Sequence, residues 1–256
     1  MTTSTPHGRR IARRLGRAVI GLLMAVALVA VIVLAWAHTV MGGDRSAALE
    51  VWTNDAVEVT ETDVAYVLRP VDGASGDGLV FIPGACVDPF AYARNLVGTV
   101  EEHGTTVVIT KPTLNLAFFD TRPLSAFTAA APEVNRWSVG GHSLGGVRAC
   151  QLAIDGDVEV SGLVLFGSYC ANDVSDTGLA VLSISGTNDG LTTPADVDDN
   201  AVLLPADATF VVLDGANHAD FGDYGPQAGD GASTLPRSDV RAALTAALGA
   251  FLDPIA

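Results

Sequence analysis

The hydrophobic positions of the chain form one long run near the N-terminus and seven short runs after it. The long run, 18–37, reads AVIGLLMAVALVAVIVLAWA and contains no charged residue. The short runs lie at 64–69, 78–83, 105–110, 136–141, 162–167, 180–185 and 209–214. Most short runs are continuously apolar rather than alternating, which is typical of strands buried on both faces of a parallel sheet.

Segments with helix signals lie between these runs. The clearest extends from Asp88 to His103, because Asp88 is a good N-cap, Pro89 suits the first turn and Gly104 suits the helix end. Further helices are predicted at 121–131, 144–154, 194–202 and 237–252. This alternation predicts an α/β fold: a doubly wound, mostly parallel sheet with helices on both faces. Such sheets bind ligands beyond the carboxyl ends of their strands.

The long apolar run is predicted to cross a membrane, because a helix of twenty residues spans about 30 Å. Five arginines precede the run, and the positive-inside rule keeps such residues cytoplasmic. The predicted division is therefore a basic cytoplasmic tail (1–17), a transmembrane signal anchor (18–37), a linker (38–56) and an extracytoplasmic α/β domain (57–256). The alternative is a signal peptide cleaved near Ala37, although such peptides have apolar runs of only about 7 to 15 residues.

The net charge of the chain limits the kinds of partner that it can bind. The whole chain has a net charge of −15, and without the five N-terminal arginines nine basic residues face 29 acidic ones, a net −20. Phosphate binding needs a cationic face, so this composition argues against nucleic acid as a partner. The sequence predicts one soluble, acidic domain.

Three cysteines, Cys86, Cys150 and Cys170, lie in the predicted extracytoplasmic domain. Their odd number leaves at least one thiol without an internal partner, and their wide spacing is typical of neither a metal site nor a disulfide scaffold. We expect the three side chains to be buried among apolar residues, and a single disulfide between two of them is the alternative.

The stretch VGGHSLGGVRAC (139–150) contains Ser143 within the pattern Gly-x-Ser-x-Gly. The serine follows the apolar run 136–141 directly and precedes a predicted helix. This strand-turn-helix context is the one that a nucleophile elbow requires, because the sharp turn lifts the hydroxyl above the sheet. Ser143 is therefore the predicted nucleophile.

A serine nucleophile needs a base and an acid that orients the base. His218 lies four residues after the run 209–214, and Asp189 lies on the loop after the run 180–185. Nucleophile, acid and base then follow in the order typical of hydrolases with this fold. Asp220 and Asp223 are rival acids, but they share a loop with His218 and are less able to reach its far ring nitrogen.

The developing oxyanion needs two backbone N–H donors. Leu144 follows the nucleophile, and Ala85 lies on the turn after the run 78–83, so these two amides are the predicted oxyanion hole. Aromatic residues on loops at the same edge are candidates for an apolar substrate pocket: Phe118, Phe119, Tyr169, Phe221 and Tyr224.

Taken together, the motifs PGACVDPFAYA, GGHSLGG, SGTNDGL and GANHADFGDYGPQAGDG resemble the α/β-hydrolase superfamily and, within it, the dienelactone-hydrolase-like family called alpha/beta hydrolase fold 5. The resemblance extends from about Val64 to Leu252. It implies that Ser143, Asp189 and His218 form the catalytic triad. Dienelactone hydrolases use a cysteine nucleophile, so the serine here puts transfer of their substrate in doubt.

The resulting hypothesis is a membrane-anchored serine hydrolase, carboxylesterase-like, that cleaves small ester-like substrates through an acyl-enzyme. The triad mechanism requires no metal and no organic cofactor. Only about a dozen residues separate the runs 162–167 and 180–185, so no cap domain is expected there. Two alternatives use the same sequence features: an acyltransferase with this triad, and a non-catalytic binding or scaffold domain.

Overall fold

The computed structural model describes residues 6–155 and 157–253. The chain divides into two compact units at the bond between Thr39 and Val40. Residues 1–5 of the predicted tail and 254–256 of the predicted domain lie outside the described residues.

The first unit is a single helix, α1 (Pro6–Ala37). The segment Arg13–Ala37 has a mean hydropathy of 3.1, and its large apolar side chains are exposed. The helix is long and apolar enough to cross a membrane, a property that it shares with N-terminal signal sequences. It ends at the residue where the apolar run of the sequence ends.

The second unit is built on one eight-stranded sheet. Its strands are β1 (Val57–Glu61), β2 (Ala65–Pro70), β3 (Asp77–Ile82), β4 (Thr106–Thr110), β5 (Arg136–His142), β6 (Val160–Phe166), β7 (Ala180–Gly186) and β8 (Thr209–Leu213). The strand order is β1-β2-β4-β3-β5-β6-β7-β8. Strands β3 to β8 are parallel, whereas β1 and β2 form an antiparallel hairpin that pairs with β4. The doubly wound, mostly parallel fold that the sequence predicts is confirmed.

Helices cover both faces of this sheet. They are α2 (Arg45–Trp52), α3 (Ala93–His103), α4 (Ser125–Thr128), α5 (Leu144–Asp155), α6 (Pro194–Asn200) and α7 (Arg237–Leu252), with 3₁₀ turns at Pro89–Tyr92, Thr113–Asn115, Ala117–Phe119, Ala201–Leu203 and His218–Phe221. Buried residues of α2, α3 and α7 share one core with one sheet face. Residues of α4 and α5 share a second core with the other face. Burial on both faces explains the continuously apolar central strands, whereas the edge strand β8 is equally apolar although Phe210 and Val212 are exposed.

The segment 38–56 is not the plain linker that the sequence predicts. Asp44 accepts hydrogen bonds from the N–H groups of Ser46 and Ala47 and so caps α2. The helix buries Val51 in the core, and Trp52 stacks on a phenylalanine of the first 3₁₀ turn. The folded body therefore begins before residue 57.

Two further elements differ from the sequence prediction. The strand β1 has an alternating pattern, because it lies at the sheet edge with one face exposed. The helix predicted at 121–131 shrinks to the four residues of α4. Pro123 and Pro132 flank it, and a proline disfavours helical geometry in the residue that precedes it.

Candidate active site

Ser143 lies in the turn between β5 and α5 and has a backbone φ of 52°. This left-handed conformation is costly for a residue with a side chain and persists only where surrounding contacts fix it. Its N–H donates to the carbonyl of Phe166 at 3.0 Å, and the hydroxyl of Ser168 donates to its carbonyl at 2.7 Å. The hydroxyl of Ser143 is thus presented at the N-terminus of α5, where the helix dipole favours negative charge.

The glycines around Ser143 allow a close approach between backbones. A Cβ on Gly141 would lie 2.4 Å from the carbonyl carbon of Gly145, and one on Gly145 would lie 2.0 Å from the carbonyl oxygen of Ile82. No side chain fits at such distances, so the Gly-x-Ser-x-Gly spacing brings the start of α5 against the end of β3. The turn has the geometry of a nucleophile elbow.

Asp189 and His218 form a buried pair on the loops after β7 and β8. Their side chains are 0% and 1% exposed, and Nδ1 of His218 lies 2.8 Å from Oδ2 of Asp189. The other oxygen of Asp189 accepts hydrogen bonds from the N–H groups of Leu191 and Thr192 at 2.9 and 2.7 Å. With its carboxylate held in this way, the pair fixes the imidazole so that Nε2 is the nitrogen left for chemistry.

The two rival acids are engaged elsewhere. Asp220 accepts the N–H of Asn217 at 3.0 Å in a capping box. Asp223 accepts from Arg237 and Arg241, each at 2.8 Å. Neither carboxylate is bonded to His218, which agrees with the preference for Asp189.

The elbow and the Asp189–His218 pair meet at the same edge of the sheet. The ring of His142, which precedes Ser143, lies 4.3 Å from the ring of His218 between centroids. Gly167 follows the carbonyl that binds the Ser143 N–H, and a Cβ on Gly167 would lie 3.0 Å from Oδ2 of Asp189. The three predicted triad residues are therefore neighbours.

The predicted oxyanion turn follows β3. Within the described residues, the N–H groups of Ala85 and Leu144 donate no hydrogen bond, and both residues are partly exposed. The N–H of Cys86, by contrast, donates to the carbonyl of Asn115 at 2.8 Å. Two free amides beside the elbow are what an oxyanion hole requires.

A buried hydrogen-bond chain supports this turn. The N–H of Gly84 donates to the hydroxyl of Tyr92 at 3.0 Å, and that hydroxyl lies 2.9 Å from Nδ1 of His142. Burial, together with the nearby His218, holds the pKa of His142 well below its ordinary value of 6.5, so its ring is neutral. Because Tyr92 accepts from Gly84, its own proton is directed to Nδ1 of His142.

The five aromatic residues that the sequence places at a pocket fall into two groups. Phe118 and Phe119 are exposed by 57% and 51%, and Tyr169 is partly exposed. Phe221 and Tyr224, however, are buried and pack against the ring of His142 at centroid distances of 5.7 and 6.3 Å. These last two pack within the core beside the predicted triad and do not line an open pocket.

The connection between β6 and β7 carries neither a helix nor a strand over residues 167–179. Its one cross-link is the disulfide Cys150–Cys170, which joins it to α5, the helix behind Ser143. The third cysteine, Cys86, is buried and takes no part in this disulfide. Across residues 6–155 and 157–253, no group of three or more His, Cys, Asp and Glu side chains is arranged to hold a metal ion.

Sequence reasoning missed three residues of this site. Tyr92 was hidden within a helix pattern, and Ser168 acts through a backbone contact that no motif signals. Asp230, in a Gly-Asp-Gly sequence that is typical of a turn, accepts hydrogen bonds from the backbone N–H of His218 at 3.2 Å. Its place near the end of GANHADFGDYGPQAGDG was the available signal.

Comparisons with known proteins agree with this geometry. The sequence matches the alpha/beta hydrolase family over residues 78–242, more than half of the chain. The chain therefore belongs to the alpha/beta hydrolase family. No curated protein matches it significantly in sequence.

Several solved structures share the fold at low sequence identity. An esterase domain from Rhodothermus marinus is 18% identical with a TM-score of 0.56, over 76% of this chain and 95% of that one. An alpha-beta serine hydrolase homologue from Coxiella burnetii is 14% identical with a TM-score of 0.53, over 77% and 98%. A serine hydrolase without a lid from Xanthomonas campestris is 18% identical with a TM-score of 0.51, over 78% and 96%. At these identities the likeness is one of fold.

Proposed function

We propose that the protein is a serine esterase that cleaves small carboxylic esters through a covalent acyl-enzyme. The observation that carries the proposal is the buried Asp189–His218 hydrogen bond of 2.8 Å beside Ser143 in its left-handed turn. A serine hydroxyl is a weak nucleophile unless such a base accepts its proton.

In the proposed reaction, Nε2 of His218 takes the proton of Ser143 Oγ while that oxygen attacks the ester carbonyl. The N–H groups of Ala85 and Leu144 bind the resulting oxyanion. Collapse breaks the bond to the alkoxy group, which leaves as an alcohol with the proton from His218. Water then attacks the acyl-enzyme with His218 as base, which releases the acid and returns the proton to Ser143.

The proposed substrates have an apolar group near the ester. Phe118 and Phe119 offer exposed aromatic surface on the 3₁₀ turn after β4, the strand beside β3. The loop that carries them is joined to the oxyanion turn through the Cys86–Asn115 hydrogen bond. Contact of an acyl or alkyl chain with these rings would remove apolar surface from water.

The proposed location is the outer side of a cell membrane, with α1 as an uncleaved anchor and the N-terminus in the cytoplasm. The arginines that precede the apolar run support this orientation. The Cys150–Cys170 disulfide supports an oxidising compartment for the catalytic domain. Secretion after cleavage near Ala37 is the alternative, and the mass of the protein recovered from membranes separates the two.

Hydrolysis of p-nitrophenyl esters of graded acyl length tests the esterase proposal. Ser143→Ala is expected to lower kcat by roughly 10⁶-fold and Asp189→Asn by about 10⁴-fold. Ser138→Ala is the matched control, because Ser138 is a buried serine of β5, the strand that leads into the turn with Ser143.

The proposal fails if Ser143→Ala hydrolyses these esters at the wild-type rate. No hydrolysis by folded wild-type protein would favour a binding domain. Ester products formed from added alcohols in preference to acid would favour an acyltransferase.

A further inference from the structure

Asp230, near the end of the motif GANHADFGDYGPQAGDG, lies twelve residues beyond His218, yet it contacts the loops that carry Asp189 and His218. Oδ1 of Asp230 accepts hydrogen bonds from the backbone N–H groups of Gly190 at 3.1 Å, His218 at 3.2 Å and Gly231 at 2.8 Å. Oδ2 accepts from the N–H of Ala219 at 2.9 Å. One carboxylate thus accepts four backbone donors.

Three of these donors belong to two other loops, and the fourth, Gly231, follows Asp230 directly. Gly190 follows Asp189 directly, on the loop after β7, whereas His218 and Ala219 begin the 3₁₀ turn after β8. Asp230 therefore ties the backbone beside the acid to the backbone of the base. The separation of Asp189 and His218 depends on how these two loops are held.

We propose that Asp230 is a positioning residue that sets the geometry of the Asp189–His218 pair. The inference rests on the proposed esterase function, because it assigns to Asp230 a part in that reaction. Asp230 does not touch the reacting atoms, and it acts through the backbone of the two loops.

Packing around Asp230 supports this role. A Cβ on Gly231 would lie 1.9 Å from the carbonyl oxygen of Asn188, so this glycine allows the two segments to touch. Side-chain amides complete the junction: Asn188 donates to the carbonyl of Ala232 at 2.9 Å, and Asn217 donates to that of Gly231 at 2.7 Å. The acid loop and the base loop are each joined to the segment that carries Asp230.

Asp230 is partly exposed, so the effect of its removal on the geometry of the loops can be distinguished from an effect on folding. If its carboxylate is removed, water can reach the freed N–H groups, so the loops are expected to relax while the sheet remains folded. A displacement of about 1 Å between catalytic groups costs roughly 10²-fold in rate. The effect is therefore expected in kcat more than in KM.

The test compares Asp230→Ala, Asp230→Asn and wild type in full-length protein with p-nitrophenyl acetate. Asp230→Ala is expected to lower kcat by roughly 10²-fold with KM nearly unchanged. Asparagine keeps an acceptor oxygen at the position of Oδ1, although its NH2 group then faces the N–H of Ala219. Asp230→Asn is therefore expected to restore kcat in part, to within about tenfold of wild type.

Asp157→Ala is the matched control. Asp157 also accepts hydrogen bonds from two backbone N–H groups of another segment, those of Leu124 and Ser125 at 3.2 and 3.0 Å. It precedes β6, however, and so lies at the amino ends of the strands, whereas Asp189 and His218 follow the carboxyl ends. Its removal is expected to lower the melting temperature without lowering kcat.

A spectroscopic readout is independent of turnover. The deshielded NMR signal of the His218 Nδ1 proton, which is bonded to Asp189, is expected to shift or broaden in Asp230→Ala and to keep its wild-type position in Asp157→Ala. Should Asp230→Ala fail to fold, Asp230→Glu carries the test: its longer side chain keeps the charge, misplaces the oxygens and is expected to lower kcat by about tenfold.

An unchanged kcat and an unchanged His218 signal in the folded variant would overturn the inference. An inactive wild-type protein would refute the esterase proposal instead. In that case the NMR comparison still decides whether Asp230 positions the pair.

Discussion

Replacement of Tyr92 by phenylalanine tests how the oxyanion turn is supported. The hydroxyl of Tyr92 is the only atom that the change removes, and the aromatic ring can keep its packing. That hydroxyl accepts from Gly84 N–H at 3.0 Å and lies 2.9 Å from Nδ1 of His142. Tyr92 is 0% exposed, so no water is expected to replace the lost oxygen.

The magnitude follows from the two groups that lose their partner. An unsatisfied buried donor or acceptor costs about 1–3 kcal/mol, and single substitutions rarely cost more than about 4 kcal/mol. We therefore expect Tyr92→Phe to lower the free energy of unfolding by about 2–4 kcal/mol. At roughly 2–4 °C per kcal/mol for a domain of this size, the melting temperature should fall by roughly 4–16 °C. Gly84 precedes the proposed oxyanion donor Ala85, so kcat should fall as well, by about tenfold, less than the loss of a whole donor costs.

Urea unfolding and ester hydrolysis, measured on the same preparations, check both effects. Tyr66→Phe is the matched control, because it removes a tyrosine hydroxyl from the hairpin at the sheet edge, away from the oxyanion turn. Partial burial and the nearby Glu61 raise the pKa of Tyr66 to about 12, so its hydroxyl is protonated as that of Tyr92 is. Its partly exposed hydroxyl can bond to water, so the control should lose about 1 kcal/mol or less. Equal stability and equal kcat for Tyr92→Phe and wild type would refute the reasoning.

Two further predictions concern pH and the disulfide. The pKa of His142 lies well below 6.5 in the folded protein, so above pH 6.5 this residue contributes nothing to the pH dependence of stability. Below pH 6.5 the unfolded chain binds a proton at His142 that the folded protein does not bind. The free energy of unfolding therefore falls by about 1.4 kcal/mol per pH unit. In His142→Gln, chemical unfolding from pH 6.5 to about 5 should show a slope smaller by that amount, and equal slopes would contradict a neutral His142. Joint replacement of Cys150 and Cys170 by alanine should lower the free energy of unfolding by about 3 kcal/mol, because the disulfide closes a loop over a sequence separation of 20. Reducing agent should then destabilise wild type but not the double variant, with Cys86→Ala behaving as wild type; equal sensitivity of both proteins would argue against the disulfide.

Most of the fold could be predicted because both sheet faces are covered. Burial on two faces leaves a continuously apolar strand, and each central parallel strand has that signature. The hairpin strand β1 was missed because an exposed edge strand alternates and is short. The truncated helix α4 was overestimated because its apolar pattern continues through positions where Pro123 and Pro132 restrict the backbone.

The candidate site was predictable where chain order carries the information. Ser143, Asp189 and His218 each follow a strand, and parallel strands bring their carboxyl ends to one edge. Asp230 acts through backbone N–H groups up to 40 residues away, and backbone donors have no sequence signature. The disulfide pairing depends on a Cα–Cα distance of 5.6 Å that spacing alone does not reveal.

The central claim is that Ser143 is a nucleophile activated by His218. Intact-protein mass spectrometry after treatment with a fluorophosphonate tests it most directly, because the reagent bonds covalently to activated serines. One adduct per molecule, located on Ser143 in wild type, absent in Ser143→Ala and formed more slowly in Asp189→Asn, is the predicted result. Folded wild-type protein that remains unlabelled, or that carries the adduct on another residue, would contradict the account.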